Sequence, residues 1–232
     1  MMQYSKYYEE ILYPFQDKVL TILRSCETPF YLTGGTAVSR GYLHHRYSDD
    51  LDLFVNNDNN FHSYVEKVLS AFEKSEFSID YSEVSAISFT RIFLNKNKSG
   101  LDNGGLKIDF VNDVEAHFGN IQSTPVYYRT DSLRNMLSNK YTALYRIAVK
   151  DIADICEIAQ HISFDGKDII DEANQKEGGI DLKEIVQIFS AFDDDMLRSI
   201  KWVNAPDICQ FRNVLNTVAF DMVHERRNSL CA

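Results

Sequence analysis

The sequence predicts an α+β protein in which a mixed sheet with flanking helices is followed by an all-helical domain. Short apolar runs and alternating patterns that are typical of strands occur between residues 30 and 111. Stretches with helical periodicity lie before and among these strands. From about residue 130 onward, only helical patterns remain. We therefore divide the chain into two domains, residues 1–128 and 129–232.

The composition limits the class of protein. A formal net charge of −10 over 232 residues argues against nonspecific binding of nucleic acid by the whole surface. The first residues contain no apolar core of a signal peptide, and no run approaches the roughly 20 apolar residues of a membrane span. The four cysteines lie far apart and lack the spacing of metal ligands. These features predict a cytoplasmic protein with reduced thiols and no membrane partner.

The elements of the first domain can be assigned in chain order. An amphipathic helix is predicted over residues 4–26, with Pro14 at a position where it can kink or end the helix. A buried strand follows at Phe30, Tyr31 and Leu32. The later elements are a helix over residues 61–74, strands over 77–84 and 87–94, a polar turn over 95–105 and a strand over 106–111.

A glycine turn after the first strand is the first half of a candidate site. Gly34 and Gly35 interrupt the apolar run, and Thr36 stands at the predicted N-cap of a helix that extends to about His45. Such a turn leaves backbone N–H groups open at a helix N-terminus, where an anion such as phosphate can bind.

Three acidic residues form the second half. Asp50 and Asp52 alternate with apolar residues, so that they point to one face of a strand, roughly 6–7 Å apart. Asp109 lies on the polar face of a later strand, and Lys107, which shares this face, can pair with the acids or contact a phosphate. Each motif alone is more often a turn or solvated surface. Together they predict a site for divalent cations such as Mg²⁺ and for phosphoryl or nucleotidyl transfer.

The helical part of the chain adds further candidates. Residues 130–132 offer N-caps for an uninterrupted helix predicted over residues 132–161. On a helical wheel Lys140, Asp151 and Asp154 fall on one side, with Lys150 at its margin. Two interpretations stay open: one of the lysines reaches the nucleotide phosphates, or the lysines pair with acids, as Lys150 and Asp154 are spaced to do. Later helices are predicted over residues 182–192 and 206–227, with a short helix capped by the Asp193-Asp194-Asp195 run between them.

These motifs resemble a known superfamily. Gly34-Gly35-Thr36, Asp50-Leu51-Asp52 and Ile108-Asp109-Phe110 resemble the signature of the DNA polymerase β-like nucleotidyltransferases. A closer resemblance is to the AbiE-type abortive-infection toxins, whose Arg-x-Ser-x-Asp-Leu-Asp segment is matched by Arg46, Ser48, Asp50, Leu51 and Asp52. A second signature of that family is similar to Lys140, Ala143, Leu144, Arg146, Lys150, Asp151 and Asp154. Lys150 stands where arginine is common, which keeps the charge but loses the bidentate fork.

The resemblance implies a polymerase β-like nucleotidyltransferase domain and a helical domain. It also implies transfer of a nucleotide from an NTP with Mg²⁺, or Mn²⁺, by a toxin paired with an antitoxin, and for some members tRNA as acceptor. In this chain it assigns catalysis and metal binding to Asp50, Asp52 and Asp109. It assigns nucleotide binding to Gly34, Gly35, Thr36, Arg46, Ser48, Lys140, Lys150 and Asp151. Two alternatives stay open: an antibiotic-type nucleotidyltransferase that modifies small molecules, and a catalytically silent nucleotide- or protein-binding module of the same fold.

Overall fold

The protein forms two compact units. The computed structural model describes residues 2–80, 85–95 and 105–231. The first unit comprises residues 1–42, 47–114 and 121–131, and the second comprises residues 43–46, 115–120 and 132–232. Two short segments from the predicted first domain, residues 43–46 and 115–120, therefore belong to the second unit. The predicted division at residue 128 does not include this exchange.

The first unit is built around a mixed sheet, which confirms the predicted fold class. Its strands are β1 Tyr31–Thr33, β2 Leu51–Asn56, β3 Ser78–Asp80, β4 Ser85–Ala86, β5 Phe89–Asn95 and β6 Leu106–Asp113. The strand order is β1-β2-β6-β5-β3, and β4 pairs with β5. β2 and β6 run parallel, whereas the other neighbouring strands are antiparallel.

Helices flank this sheet. They are α1 Met2–Tyr7, a π-helical turn Tyr8–Leu12, α2 Tyr13–Ser25, α3 Gly34–Thr36, a π-helical segment Ala37–Leu43 and α4 Phe61–Glu73. The predicted N-terminal helix is thus present, and Pro14 does not end it, because it lies in the first turn of α2.

Alternating burial fixes the orientation of the acidic strand. Leu51, Leu53 and Val55 of β2 are buried, whereas the intervening residues are half-exposed or exposed. Leu51 and Leu53 have no exposed surface, and a shift of one residue would bring both into solvent at a cost of roughly 1.5–3 kcal/mol each. The hydrophobic core therefore holds Asp52 on the opposite face.

Helices make up the second unit. They are α5 Leu133–Ala143, a 3₁₀ turn Leu144–Arg146, α6 Val149–Ala159, α7 Gly166–Lys176, α8 Leu182–Ser190, a 3₁₀ helix Asp194–Ser199 and α9 Ile208–Val223. Ser132 caps α5 by accepting a hydrogen bond from the backbone N–H of Asn135, and Asp193 caps the 3₁₀ helix. Both caps agree with the sequence predictions. Within the part of the chain that the structure describes, no helix has the length and apolar character needed to cross a membrane.

The uninterrupted helix predicted over residues 132–161 is wrong. The chain leaves α5 through the 3₁₀ turn and reaches Ile147, whose φ of +52° is left-handed and whose side chain is exposed. No glycine or proline marks this break in the sequence, and a β-branched residue is unfavourable in this conformation. The packing of α5 against α6 outweighs the local preference for a continuous helix.

Three of the predicted strands differ in extent from the observed strands. The strand predicted over residues 87–94 is observed as β5 Phe89–Asn95. The strand predicted over residues 77–84 is observed as β3, and its end, residues 81–84, lies outside the described residues. Residues 96–104 of the predicted turn also lie outside them. The strand predicted over residues 106–111 is confirmed and extends to Asp113.

Candidate active site

A row of four polar side chains crosses one face of the sheet. Thr33 of β1 pairs with Asp52 of β2, Asp52 pairs with Asp109 of β6, and Asp109 pairs with Arg91 of β5. Side chains in register on adjacent strands point the same way, about 5 Å apart. The sheet thus brings together two acids that lie far apart in the sequence.

Lys107 links this row to the third acid. Asp50 directly precedes β2, and its Oδ2 lies 2.7 Å from Nζ of Lys107, which is also 3.7 Å from Oδ2 of Asp109. Burial lowers the pKa of Lys107, but the hydrogen bond and charge of Asp50 and the charges of Asp109 and Asp52 outweigh it and raise that pKa. The lysine is therefore charged. Of the two roles that the sequence left open, the ion pair is the one present here.

Arg91 is a site residue that the sequence analysis missed. Its Nε and Nη2 donate to the two carboxylate oxygens of Asp109 at 2.7 and 2.8 Å, a bidentate pair in which Asp109 is mostly buried. Such pairs fix both the position and the orientation of the carboxylate. A signal was present, because Arg91 is the one charged residue of β5 and is in phase with Phe89 and Phe93.

The glycine turn lies against Asp52. Gly34 has a φ of +68°, and a Cβ added to it would lie 2.1 Å from Oδ2 of Asp52. Both the backbone conformation and the close carboxylate therefore require glycine at this position. The helix of α3 begins at Gly34 itself, so that the N-cap is Thr33, whose Oγ1 donates to Oδ2 of Asp131 at 2.7 Å.

The prediction that Thr36 is the N-cap is wrong, because the helix already begins at Gly34. The left-handed conformation of Gly34 turns the chain into the helix earlier than the glycine pair suggests. Thr36 is fully buried, and its Oγ1 donates to the backbone carbonyl of Asp50. Thr36 thus ties the glycine turn to the start of the acidic strand.

Within the second unit, Asp154 is the centre of a buried ionic cluster. Nε and Nη2 of Arg46 donate to its two oxygens at 2.6 and 2.7 Å, and Nζ of Lys140 lies 2.7 Å from Oδ2. Lys140 also donates to Asp151 at 2.6 Å, and Nε2 of His45 lies 2.9 Å from Asp154. Burial would raise the pKa of Asp154, but the charges of Lys140 and Arg46 and the hydrogen bonds from His45 and Arg46 hold it well below its usual value.

This Asp154 cluster contains three of the predicted nucleotide-binding residues. Arg46, Lys140 and Asp151 make the contacts described above inside their own unit. Lys150 is exposed. Asp154 pairs with His45, Arg46 and Lys140 and not with Lys150, the partner that the sequence spacing allowed. The roles of these residues toward a nucleotide stay predictions.

Ser48 belongs to the first unit. It is largely buried, its backbone N–H donates to the Tyr13 hydroxyl at 3.3 Å, and its carbonyl accepts from Nε2 of Gln16 at 3.5 Å. These contacts attach the segment before the acidic strand to α2. A role for Ser48 toward a nucleotide also stays a prediction.

The acids fit a divalent cation by charge and donor type. Asp50, Asp52 and Asp109 offer the carboxylate oxygens that Mg²⁺ prefers, and the Lys107 ammonium already lies between two of them as a cation. Among the described residues, however, no group of three or more His, Cys, Asp or Glu side chains is arranged to hold a metal ion. Coordination therefore requires that Asp50 and Asp109 exchange their contacts with Lys107 for the metal.

A family model described as the nucleotidyl transferase AbiEii toxin of a type IV toxin–antitoxin system matches residues 21–211. The chain belongs to this family. The AbiEii match spans the glycine turn, all three acids and the Asp154 cluster, and it makes the protein a nucleotidyltransferase of the toxin class. No curated protein matches the chain in sequence.

Solved structures share the fold of this AbiEii protein at low sequence identity. JHP933 from Helicobacter pylori is 17% identical with a TM-score of 0.60, over 91% of this chain and 94% of that one. A putative nucleotidyltransferase from H. pylori is 17% identical with a TM-score of 0.62, over 93% and 97%. MenT4, a nucleotidyltransferase toxin from Mycobacterium tuberculosis H37Rv, is 13% identical with a TM-score of 0.65, over 91% and 82%.

Proposed function

We propose that this toxin transfers a nucleotide from an NTP to an RNA acceptor, with tRNA as the favoured RNA, in a Mg²⁺-dependent reaction. The proposal includes a cognate antitoxin that counteracts it and a role in defence against phage. The observation that carries it is the register of β2 and β6, which sets Asp52 beside Asp109. The glycine turn packed against Asp52 supports it as well.

The acids have a defined task in this reaction. Asp50, Asp52 and Asp109 would hold Mg²⁺, which neutralises charge on the triphosphate and on the leaving pyrophosphate. A carboxylate oxygen of Asp109 would accept the proton of the attacking acceptor hydroxyl. Arg91 acts through Asp109, since its two hydrogen bonds fix the plane of that carboxylate.

The glycine turn would bind the phosphates. The segment from Gly34 to Leu43 is helical throughout, and its first turn presents backbone N–H groups at the end where the helix dipole is positive. Gly35 is half-exposed, which leaves its backbone open to a ligand. We assign the contact with the triphosphate to the backbone of Gly35, because Thr36 behind it is fully buried.

Lys107 would change its partners during the cycle. Its ammonium neutralises Asp50 and Asp109 while no metal is bound. With these carboxylates occupied by a divalent cation, the Lys107 ammonium would be free to bind the negatively charged phosphates. The proposal thus gives Lys107 both of the roles that the sequence left open.

A second candidate keeps the chemistry and changes the acceptor to a small molecule. The net charge of −10 favours it, since an acidic protein attracts RNA weakly over its surface as a whole. A catalytically silent module is the weaker alternative, because the family that the chain belongs to is one of nucleotidyltransferases.

Transfer of a labelled nucleotide tests the proposal. Each of the four NTPs is incubated with the protein and with purified tRNA, total RNA or a small-molecule extract, with Mg²⁺ or with EDTA. We expect label on tRNA that requires Mg²⁺ and is absent with Asp52→Asn, whereas Asp195→Asn, at an exposed acid, retains activity. Label on a small molecule but not on RNA supports the second candidate. Full activity in EDTA or in Asp52→Asn contradicts the site.

A further inference from the structure

The second unit contains a cavity of about 330 Å³ that none of the three acids lines. This volume is near the lower end of the range for small-molecule sites, about 300–1,000 Å³. The buried Ala153, Cys156 and Phe211 contribute apolar surface to it. Exposed carboxamides of Gln160 and Gln210 also line it. An apolar base with adaptable polar groups suits a flat heterocycle.

His45 is one of the residues that line this cavity, and one nitrogen of its ring, buried beneath the wall, is unsatisfied. Its Nε2 lies 2.9 Å from the Asp154 carboxylate, an acceptor, so that Nε2 is the nitrogen that carries the donated proton, and in this tautomer Nδ1 is an acceptor. Among the described residues Nδ1 has no hydrogen-bond partner, and it is closed off from solvent. A buried acceptor without a partner is unfavourable. A ligand donor that enters the cavity, with a small adjustment of its wall, would supply the missing hydrogen bond.

Aromatic rings form another part of the wall. The Trp202 ring lies with its centroid 6.4 Å from that of His45 and 6.3 Å from that of Phe211. Nucleobases bind proteins by stacking on such side chains, with an affinity that depends little on the sequence. The cavity therefore offers a base both an aromatic surface and a buried hydrogen-bond acceptor.

The negative charge of the cavity wall favours entry of the base of a nucleotide over entry of its phosphate. Glu157 lines the cavity, and no lysine or arginine is among the described residues that do so. A phosphate group would be repelled by this carboxylate, whereas the exocyclic amine of a base can donate to it. Nδ1 of His45 lacks a donor, and the partly exposed carboxylate of Glu157 can accept a second hydrogen bond from the same amine.

We propose that this cavity binds one unpaired nucleobase that carries an exocyclic amine. The base can belong to a free nucleoside or nucleotide or to single-stranded RNA, because the contacts made by the base are the same. The site does not depend on the proposed transfer reaction, since binding is measured without catalysis. The cavity is formed within one unit, and His45 connects it to Asp154 and hence to Arg46 and Lys140.

The chain contains its own reporter for this test. Trp202 is the single tryptophan, so that the tryptophan fluorescence, excited selectively over that of the tyrosines, arises at the wall of the cavity. Cytidine and uridine have the same ring size, but only cytidine has the amine. We expect a saturable fluorescence change, with cytidine bound about tenfold more tightly than uridine, since one hydrogen bond to a buried acceptor is lost. Ribose 5-phosphate, which lacks a base, should cause no change.

Two variants test the acceptors. In His45→Gln the side-chain amide nitrogen can replace Nε2 toward Asp154, but nothing replaces Nδ1, so that cytidine should bind only as weakly as uridine. His62→Gln, at an exposed histidine of α4, is the matched control and should bind as the wild type does. If His45→Gln does not fold, Glu157→Gln at the half-buried carboxylate should reduce the preference for cytidine.

One further ligand, a short oligocytidylate, distinguishes the two sources of the base. Tighter binding of a short oligocytidylate than of cytidine identifies single-stranded RNA, whereas equal or weaker binding identifies the free nucleoside or nucleotide. The proposal is overturned by the absence of a saturable change with any of these ligands. Equal affinities for cytidine and uridine, or an unaltered preference in both variants, also overturn it. The same titration on Asp52→Asn, in which binding should persist, separates this site from the proposed transfer.

Discussion

Gly34, at the turn between β1 and α3, packs against Asp52 of β2. The Asp52 carboxylate occupies the space that a side chain at position 34 would need. A Cβ built on Gly34 would lie 2.1 Å from Oδ2 and 2.9 Å from Cγ of Asp52. The φ of Gly34, +68°, independently disfavours any other residue. The conformation of the glycine turn and the position of the Asp52 carboxylate are therefore coupled, so that a side chain added at position 34 would displace the carboxylate.

The first prediction follows from this contact. Gly34→Ala should displace the Asp52 carboxylate and lower nucleotide transfer strongly, while the left-handed backbone adds a stability cost of about 1–2 kcal/mol. Gly179→Ala is the matched control, because Gly179 also has a positive φ, +93°, but has nothing within 4 Å of a Cβ. It should lose a similar amount of stability in urea unfolding and retain its transfer rate. Equal loss of activity in both variants would mean that strain, not Asp52, is responsible.

The second prediction separates two adjacent acids. Asp50→Asn should lower transfer at least about 100-fold, since a metal ligand contributes several kcal/mol to the transition state. Asp50 and Lys107 are partly exposed, with 34% and 26% of their side-chain surface accessible, so that the unfolding free energy should change by less than about 1 kcal/mol. Asp49→Asn, at an acid that bonds the Tyr8 hydroxyl instead, should keep its activity. Comparable loss in the Asp49 variant would contradict the assignment.

The third prediction concerns competition between Lys107 and the metal. Lys107→Met removes the ammonium that contacts Asp50 and Asp109, so that a divalent cation should bind these acids more tightly, by about two- to fivefold. Mn²⁺ binding followed by electron paramagnetic resonance measures this without catalysis. Lys67→Met, at an exposed lysine of α4, should leave the affinity unchanged. Weaker Mn²⁺ binding by Lys107→Met would show that Lys107 supports the metal rather than competing with it.

The sequence predicts those parts of the site that local patterns determine. The alternation around Asp52 assigns it to a half-exposed strand, and the structure agrees because Leu51 and Leu53 are fully buried. The same period of two places Lys107 and Asp109 on one face of β6. In each case the residues that decide the orientation are close neighbours in the chain.

The parts that the sequence does not predict depend on distant contacts. The Arg91–Asp109 pair depends on which strands are neighbours and in which register, and the Arg46–Asp154 pair joins positions 108 residues apart. The start of the helix at Gly34 depends on a left-handed φ, which a glycine permits but does not specify. The break at Ile147 is a tertiary effect on a residue with no local signal.

The fourth prediction concerns the stability of the second unit. Asp154 has no exposed surface, and its carboxylate is the shared partner of Arg46 and Lys140. Asp154→Asn leaves two buried cations with only Asp151 to balance them, which should destabilise the unit by about 3–5 kcal/mol. Urea unfolding at pH 7 measures this, with Asp195→Asn, at an acid 75% exposed, expected to change stability by less than about 0.5 kcal/mol.

The same variant should alter the pH dependence of stability in a defined direction. Because the pKa of Asp154 is held well below its unfolded value of about 3.9, its contribution is fully present above that pH and is lost as the pH falls toward the folded pKa. The difference in unfolding free energy between wild type and Asp154→Asn should therefore be constant from pH 7 to about pH 5 and decrease below about pH 4. A difference that grew on acidification would mean that Asp154 is protonated in the folded protein. The cluster would then be held by hydrogen bonds rather than by charge.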